Sequence, residues 1–443
     1  MYLKRKIDNY LNEWKNNPEH LPLIIKGARQ IGKTESIMNF SALYKNVVYI
    51  NFALEPNYKK IIENGYDVEN VIKNISKIDS KWKIEPFDTL IIFDEIQECP
   101  DVTTTLKSFA IYKKYDVICS GSLLGVNYNK IHSISLGYKT EYEMHSMDFE
   151  EFLWAVGTNE DVVEDMFYHM NELIPFSNIE MDKYMNIFFD YIITGGMPNV
   201  VKKFVINKNF QDIDAMQMDI IDGYKDDARK YIEGLDQAKI LNTFNSIPAQ
   251  LAKDNKKFQY SKISSNARSR EYIGVIEWLN DVGIINICYQ MNFPELPIKG
   301  NIDISKFKIY MADTGLLISM LDNEAKMDIK ANKNLGVYKG AIYENIVAEA
   351  LKKSNADLVY YRREDSTLEI DFFVRTQNEL MPIEIKSGNN RSKSLNEVIT
   401  NPKYENIKRG IKLAHANIGY ENNIFTFPYF LSFLLKKWVK DVV

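Results

Sequence analysis

The chain has 443 residues, of which 45% are hydrophobic and 26% are charged, and its formal net charge is −5. This length predicts two or three domains with full-sized cores, and the composition is ordinary for a soluble globular protein. The small negative charge argues against a protein that coats nucleic acid or a membrane surface, so any such basic patch must be local.

The cysteines and the chain's apolar segments bear on where the protein works. The three cysteines are far apart, and none belongs to a Cys-x-x-Cys pair, so they give no zinc signature and suit a reduced compartment. The N-terminal residues have no long apolar core typical of a signal peptide. The most apolar late stretch, residues 425–435, contains a proline and is too short to span a bilayer. We therefore expect a cytoplasmic protein that has no membrane association.

The first strong motif is the octapeptide Gly27-Ala-Arg-Gln-Ile-Gly-Lys-Thr34, which fits the phosphate-binding loop pattern Gly-x4-Gly-Lys-Thr without a mismatch. A short apolar run at residues 22–26 predicts a buried strand before it, and residues 34–43 predict a helix after it. A strand, a loop and a helix in this order are what the chemistry of phosphate binding requires.

Each position of this loop has a physical role in binding ATP. Gly27 and Gly32 allow backbone N–H groups to surround phosphate oxygens at a helix N-terminus, where the helix dipole adds partial positive charge. Lys33 would reach the β- and γ-phosphates, and the hydroxyl of Thr34 would bind Mg²⁺.

The next strands supply the acidic partners of the loop. A strand is predicted at residues 47–52 and another at 89–94, where an apolar run ends in Asp94-Glu95. At the carboxyl edge of the sheet, Asp94 would hold the Mg²⁺ shell, and Glu95 would orient or deprotonate the attacking water. An apolar run that ends in two acids is weak evidence by itself, but it becomes strong downstream of a phosphate-binding loop.

A further strand, predicted at residues 116–120, runs into a Gly-Ser pair. Ser120 or Ser122 could contact the γ-phosphate, although an ordinary serine-rich turn explains them equally well. The sequence therefore predicts that residues 1–148 form a doubly wound α/β P-loop ATPase domain with its ligand at the carboxyl ends of the strands.

Several short segments, taken in order, resemble those of a known family. They are Gly27–Thr34, Phe93-Asp-Glu-Ile-Gln97, Ser120-Gly-Ser122, Met147-Asp-Phe-Glu-Glu-Phe-Leu153, Gly195-Gly-Met-Pro198, Lys308-Ile-Tyr-Met-Ala-Asp-Thr-Gly-Leu316 and Lys339-Gly-Ala-Ile-Tyr-Glu-Asn345. This series is similar to AAA-type P-loop ATPases of archaea and bacteria that carry a C-terminal domain of unknown function. The resemblance covers nearly the whole chain.

One position departs from that family. Its members usually have a Gly-Arg pair before the Phe-Glu-Glu-Phe segment, whereas this chain has Gly137-Tyr138-Lys139. If the arginine senses or completes a nucleotide site, Lys139 replaces it imperfectly or the role is lost, because lysine cannot make a bidentate phosphate contact.

Residues 149–300 are predicted to form a helical linker that contains a winged helix-turn-helix. One apolar helix face is formed by Tyr272, Val275, Ile276 and Leu279. Gly283 would end this helix, a strand would follow at residues 284–287, and residues 261–265 would start a short preceding helix.

A basic stretch belongs to the same region. Residues 253–270 contain six basic side chains and one acid, which gives a local charge of +5 in an acidic protein. Contact with DNA phosphates is one explanation. The alternatives are a solvated helical face and a winged-helix fold that only joins domains.

The third predicted domain, residues 301–443, contains the second chemical signal. Strands are predicted at residues 357–362, 368–374 and 381–388, and the spacing of Asp371 from Glu384-Ile-Lys386 fits a restriction-endonuclease-like α/β core. Strand alternation places Glu384 and Lys386 on one face, and Asp371 on the neighbouring strand can converge with them.

These residues suit metal-dependent cleavage of a phosphodiester. Asp371 and Glu384 could bind Mg²⁺, Lys386 could position or activate water, and Glu344 on a preceding helix could supply a third carboxylate. The turn at residues 389–391 could lie along a phosphate path. The competing interpretation is plain surface charge, and nuclease-like folds also serve as inactive binding modules.

Two functions from different classes follow. The first is an ATPase that couples Mg²⁺-dependent hydrolysis of ATP to a nuclease-like domain acting on DNA. The alternative is a regulatory switch whose nucleotide state controls binding to a protein partner, with a catalytically inactive nuclease-like domain. Self-association, with an arginine donated by a second copy, is compatible with both.

Overall fold

The computed structural model describes residues 1–122, 137–210, 212–231, 237–252, 256–265, 267–321, 325–331, 337–386 and 392–441. The chain forms two compact units, where the sequence predicts three domains. The first comprises Met1–Ser146 and Asp281–Gly283, and the second comprises Met147–Asn280 and Ile284–Val443.

The first unit contains a five-stranded sheet in which every neighbouring pair is parallel and the order is β2-β3-β4-β1-β5. The strands are β1 Leu23–Lys26, β2 Asn46–Asn51, β3 Thr89–Asp94, β4 Asp116–Gly121 and β5 Thr140–Glu143. All six residues of β3 are buried, as expected for a parallel strand that is covered on both faces.

Among the described residues of this unit, four α-helices accompany the sheet: α1 Lys6–Asn16, α2 Lys33–Ser41, α3 Val68–Ile78 and α4 Thr105–Tyr112. Aromatic side chains fill part of the core, where Phe52 stacks on Phe93 and Phe93 meets Phe109 edge-on. Because the strands are parallel, the carboxyl ends of β1, β3 and β4 lie at one edge of the sheet, where the predicted ATP-binding residues are.

The second unit begins with helices, as the sequence predicts. They are α5 Phe149–Ala155, α6 Asp161–Glu172, α7 Asn178–Thr194, α8 Pro198–Asn207, α9 Ile213–Tyr231, α10 Gln237–Leu251 and α11 Ser269–Asp281. Reciprocal capping boxes start α5 at Asp148 and α7 at Ser177. In the parts of the chain given above, no helix combines the length and apolar character needed to cross a membrane.

The region predicted as a winged helix contains a helix followed by an antiparallel pair of strands. After α11, β6 Ile285–Met291 pairs with β7 Ile302–Met311. The short helix expected at residues 261–265 is a 3₁₀ turn at Tyr260–Lys262. Strand β6 also pairs in parallel with β8 Val359–Arg362, so the predicted division at residue 300 falls between two paired strands of one mixed sheet.

The C-terminal region has two mixed sheets, with orders β7-β6-β8-β9 and β10-β11-β12-β14-β13. The remaining strands are β9 Glu369–Ile370, β10 Phe372–Arg375, β11 Leu380–Lys386, β12 Gly410–Ala414, β13 Gly419–Glu421 and β14 Ile424–Pro428. The helices are α12 Thr314–Ser319, α13 Ala325–Lys330, α14 Val337–Lys353, α15 Lys393–Thr400 and α16 Leu435–Asp441. Strand β11 pairs antiparallel with β10 and parallel with β12.

A buried polar network holds the second unit together around Glu349. The first Glu349 carboxylate oxygen, Oε1, accepts hydrogen bonds from the Tyr191 hydroxyl (2.9 Å) and from Lys353 Nζ (2.6 Å). The other, Oε2, accepts from the backbone N–H (2.7 Å) and hydroxyl (2.5 Å) of Thr314. Lys353 Nζ also donates to the carbonyl oxygen of Met147 at 2.9 Å. The network therefore joins α7, α12 and α14 to the chain segment that precedes α5.

Four of the segments that carried the family resemblance meet at this network, those that contain Met147, Gly196, Asp313 and Asn345. The backbone N–H of Gly196 donates to Asp313 Oδ2 at 2.8 Å, and the Asn345 amide donates to the Thr314 hydroxyl at 2.9 Å. A Cβ atom at Gly196 would lie 2.0 Å from the carbonyl oxygen of Met147, so no other residue fits there. These four motifs are thus explained by packing.

Candidate functional site

The phosphate-binding loop lies between β1 and α2, and its backbone has the conformation that the motif requires. Gly27, Gln30 and Gly32 all have positive φ angles, of 145°, 64° and 92°. A Cβ atom at Gly27 would lie 2.1 Å from the carbonyl oxygen of Met144, the residue that follows β5. Glycine is therefore required at position 27 by both conformation and space.

Lys33 is the first residue of α2 and is bound to the loop itself. Its Nζ donates hydrogen bonds to the carbonyl oxygens of Gly27 (2.8 Å) and Ala28 (2.7 Å). Burial lowers the pKa of Lys33 to about 8, although the nearby negative charges of Glu95 and Asp94 oppose this shift. The ammonium group thus lies inside the loop, close to both predicted acids.

The carboxylate of Asp94 is the centre of the site. Its Oδ2 accepts a hydrogen bond from the Thr34 hydroxyl at 3.0 Å. Its Oδ1 accepts one hydrogen bond from the Ser120 hydroxyl and a second, 3.0 Å long, from the backbone N–H of Glu95. The structure therefore brings together three parts of the site that the sequence predicts on separate segments. A threonine hydroxyl beside a buried carboxylate is the set of hard oxygen ligands that suits Mg²⁺.

The other predicted residues of this site have distinct surroundings. Glu95 has a φ of 55°, and its carboxylate accepts a hydrogen bond from the side-chain amide of Gln97. The hydroxyl of Ser122 is buried and has no hydrogen-bond partner in the described part of the chain. Lys139, which stands where the family has arginine, forms an ion pair with Glu141, with 2.6 Å between Nζ and Oε1.

Sequence reasoning missed four residues of this site. The Tyr49 hydroxyl and the Asn51 amide both donate to Asp94, and Gln97 holds Glu95. Arg5 supports the loop, because its guanidinium donates to the carbonyl oxygens of Ile31 and His145, each at 2.8 Å. Strand alternation places residues 49 and 51 on one face at the end of β2, but only the pairing of β2 with β3 shows that this face lies at Asp94.

In the predicted nuclease-like cluster, the carboxylate of Glu344 is paired with lysine side chains. It lies on α14, where Lys256 forms a short ion pair with Oε1 and the Tyr310 hydroxyl donates to Oε2 at 3.1 Å. Lys308 Nζ lies 3.9 Å from the same Oε2. These lysines lower the pKa of Glu344 against the opposing effect of burial. The structure thus gives this acid a lysine partner, whereas the sequence suggests a metal.

Asp371 lies between β9 and β10, and its Oδ2 accepts a hydrogen bond from the backbone N–H of Ile385 at 2.8 Å. Burial, followed by the negative charge of Glu344, raises the pKa of Asp371 to about 7. Asp371 is therefore attached to β11, the strand that carries the Glu-x-Lys pair.

Glu384 and Lys386 share a face of β11, as strand alternation predicts. The distance between Lys386 Nζ and Glu384 Oε1 is 2.7 Å. Glu384 Oε2 is buried and has no hydrogen-bond partner among the described residues. An unpartnered buried carboxylate oxygen is a feature that fits a bound cation.

The three predicted carboxylates do not form a compact three-ligand cluster. Within the described ranges, the group of three metal-ligating side chains whose ligand atoms lie within 4.8 Å of one another is Asp165, His169 and Glu180. That group lies at α6 and the start of α7, and Glu180 is already used in the capping box of Ser177. A metal at the nuclease-like cluster would therefore not be held by all three carboxylates in this arrangement.

The basic stretch is only partly available for a phosphate contact. Residues 253–255, with Lys253 and Asp254, lie outside the described residues, as does the turn at residues 389–391. Lys256 is committed to Glu344. The other basic side chains of the stretch are Lys257, Lys262, Arg268 and Arg270.

Comparison with known families divides the chain into three matched segments. Residues 19–153 match the AAA domain, residues 185–327 match a domain of unknown function designated DUF8612, and residues 339–429 match another designated DUF4143. No curated protein matches the chain.

Several solved structures are distantly similar. A Walker-type ATPase of Pyrococcus abyssi is 12% identical, with a TM-score of 0.43, and the match covers 72% of this chain and 96% of that one. The ORC1 protein of Aeropyrum pernix, solved in complex with DNA, is 11% identical with a TM-score of 0.30, covering 74% and 90%. Drosophila ORC bound to DNA is 12% identical with a TM-score of 0.29, covering 73% and 93%.

The AAA match coincides with the phosphate-binding loop, with Asp94-Glu95 and with the parallel sheet that positions them. It confirms the expectation of an AAA-type domain. The protein therefore carries an AAA-type P-loop ATPase domain over residues 19–153, followed by two domains of unknown function.

Proposed function

We propose that the protein hydrolyses ATP with Mg²⁺ and couples this reaction to a C-terminal nuclease-like domain that acts on DNA. The observation that carries the ATPase assignment is the set of hydrogen bonds to Asp94 from Thr34 and Ser120, beside Lys33 in a complete phosphate-binding loop. The AAA match over residues 19–153 supports the same assignment.

Each residue has a defined part in this hydrolysis. Lys33 stabilises charge on the transferred phosphoryl group, and Glu95 accepts a proton from the attacking water or orients it. Thr34 and Asp94 hold Mg²⁺, which neutralises charge on the phosphate oxygens when it is bound. Gln97 keeps the carboxylate of Glu95 in one orientation through its amide group.

We expect Glu95→Gln to lower ATP turnover by about 100-fold or more while ATP binding is retained, because a positioned general base contributes about 10²–10⁴ in rate. Phosphate release and binding of a fluorescent ATP analogue measure the two effects, with and without duplex DNA. Glu98→Gln is the matched control, since Glu98 lies in the same 3₁₀ turn and pairs with Lys59. Normal turnover in Glu95→Gln would remove the proposed role.

The nuclease assignment is supported by Asp371, Glu384 and Lys386. Asp371 and Glu384 would hold Mg²⁺, which would polarise a phosphodiester when bound, and Lys386 would position or activate the water. The unpartnered buried oxygen of Glu384 and the attachment of Asp371 to β11 favour this arrangement.

We expect duplex DNA to be cleaved in the presence of Mg²⁺, with Asp371→Ala and Lys386→Ala each reducing the rate by at least about 100-fold. Gel analysis of plasmid and linear DNA gives the rate. Glu379→Gln is the control, because Glu379 lies at the other end of the β10–β11 hairpin, where it pairs with Arg409. Cleavage that persists unchanged in Asp371→Ala would contradict the assignment.

One observation favours the alternative, a nucleotide-dependent switch that binds a protein partner. Lys256 and Lys308 supply positive charge to Glu344, as a metal ion would. With these two lysines in place, the carboxylate of Glu344 can be stable without a bound metal ion. Wild-type protein that hydrolyses ATP but cleaves no DNA with Mg²⁺ or Mn²⁺ would support the switch and reject the nuclease.

A further inference from the structure

The carboxyl end of β2 contributes two side chains to the ATP site. Strand β2 pairs in parallel with β3, with Tyr49 opposite Ile92 and Asn51 opposite Asp94. Because alternate residues of a strand share a face, Tyr49 and Asn51 point to the same side as Asp94.

The amide of Asn51 is held in one orientation by the backbone. Its Oδ1 accepts hydrogen bonds from the N–H groups of Ala53 and Leu54, each at 3.0 Å. Its NH₂ group must therefore point the other way, where it donates to the Tyr49 hydroxyl and to Asp94 Oδ2, each at 3.3 Å.

This orientation fixes the direction of the Tyr49 proton. Since the phenolic oxygen of Tyr49 accepts from Asn51, its own proton is donated to Asp94 Oδ2, which lies 2.8 Å away. A tyrosine phenol, whose ordinary pKa is about 10, remains a donor at neutral pH. Asp94 Oδ2 therefore receives the protons of Tyr49 and Thr34 together.

The position of Asp94 Oδ2 determines how Thr34 can bind a metal. A threonine hydroxyl that binds Mg²⁺ through a lone pair needs another group to accept its proton. Without Tyr49, Oδ2 keeps the longer 3.3 Å hydrogen bond from Asn51, while Ser120 and the Glu95 backbone hold Oδ1, so the carboxylate is oriented less firmly toward Thr34.

We propose that Tyr49 is a positioning residue for the magnesium site, whose hydroxyl, oriented by Asn51, fixes Asp94 so that Thr34 presents a lone pair to Mg²⁺. This inference rests on the proposed ATPase function. It concerns a residue outside the phosphate-binding loop and outside the Asp94-Glu95 pair.

The test is the Mg²⁺ dependence of nucleotide binding in the full-length protein. Fluorescent ADP is bound at equilibrium and Mg²⁺ is titrated, with wild type and Tyr49→Phe compared. We expect the Mg²⁺ concentration for half-maximal enhancement of binding to rise about tenfold, the effect of one hydrogen bond to a charged group. Binding of ADP without Mg²⁺ should be unchanged, and turnover at saturating Mg²⁺ should approach that of wild type.

Tyr44→Phe is the matched control. Tyr44 is another half-buried tyrosine of the first unit, and its hydroxyl donates to Asp116 Oδ2 at 2.6 Å, away from the phosphate-binding loop. It should leave the Mg²⁺ titration unchanged.

Each other outcome has a defined meaning. An unchanged Mg²⁺ titration in Tyr49→Phe overturns the inference while leaving the ATPase proposal intact. An equal loss of ADP binding with and without Mg²⁺ indicates a structural role and also overturns it. Wild-type protein that binds no ADP at all refutes the ATPase proposal itself.

Discussion

Replacing Lys33 with alanine should lower ATP turnover by about 10³-fold, which is the cost of removing a preorganised charge that stabilises a transition state. Lys33 is buried, and its ammonium lies against the loop carbonyls of Gly27 and Ala28. Alanine at this position removes the cation that we propose contacts the β- and γ-phosphates. Phosphate release measures the turnover, and fluorescent ATP measures the accompanying loss of affinity.

The control for Lys33→Ala is Lys26→Ala. Lys26 ends β1, just before the loop, and forms an ion pair with Glu141 on β5, so its loss tests for a general disturbance of this edge of the sheet. Turnover in Lys26→Ala should remain within a few-fold of wild type. A correctly folded Lys33→Ala protein with near-normal turnover would contradict the assigned ATP site.

The second large effect concerns stability. Glu349→Ala should lower the free energy of unfolding by about 3–5 kcal/mol, because it leaves the buried ammonium of Lys353 without its partner. The Glu349 side chain is fully buried, and it loses four hydrogen bonds in this variant. Urea unfolding of the full-length protein, followed by far-UV circular dichroism, measures the loss.

A double-mutant cycle separates the ion pair from simple packing. Glu349→Ala combined with Lys353→Met should lose less stability than the sum of the two single variants, by about 0.5–3 kcal/mol. Asp222→Ala is the surface control, since its pair with Lys225 is solvent-exposed and should contribute about 0–1 kcal/mol. Strictly additive losses at Glu349 and Lys353 would show that the two charges are not coupled.

The sequence was sufficient for the part of the ATP site that is encoded locally. The phosphate-binding loop needs eight consecutive residues between a strand and a helix, and Asp94-Glu95 ends an apolar strand, so spacing and alternation identify both. Tyr49 and Asn51 could not be assigned in the same way. Their role depends on β2 pairing with β3 in a register that places Asn51 opposite Asp94.

In the C-terminal cluster too, contacts between residues far apart in the sequence could not be predicted from local patterns. Alternation in β11 correctly placed Glu384 and Lys386 on one face. The lysine that pairs with Glu344 comes from the basic stretch for which DNA contact is one explanation, and no local pattern connects residue 256 to residue 344. The expected third carboxylate therefore has a lysine partner that only the tertiary structure reveals.

The close approach of Gly27 to Met144 has a consequence for how the domain is made. Strand β1 lies between β4 and β5, so the phosphate-binding loop acquires its complete surroundings only when β5 and Met144 are in place. On the ribosome, all residues from α1 to β4 emerge before this strand exists. If the proposed ATP site is correct, we expect ATP to stabilise the nascent domain late in its synthesis, once β5 has completed the surroundings of the loop.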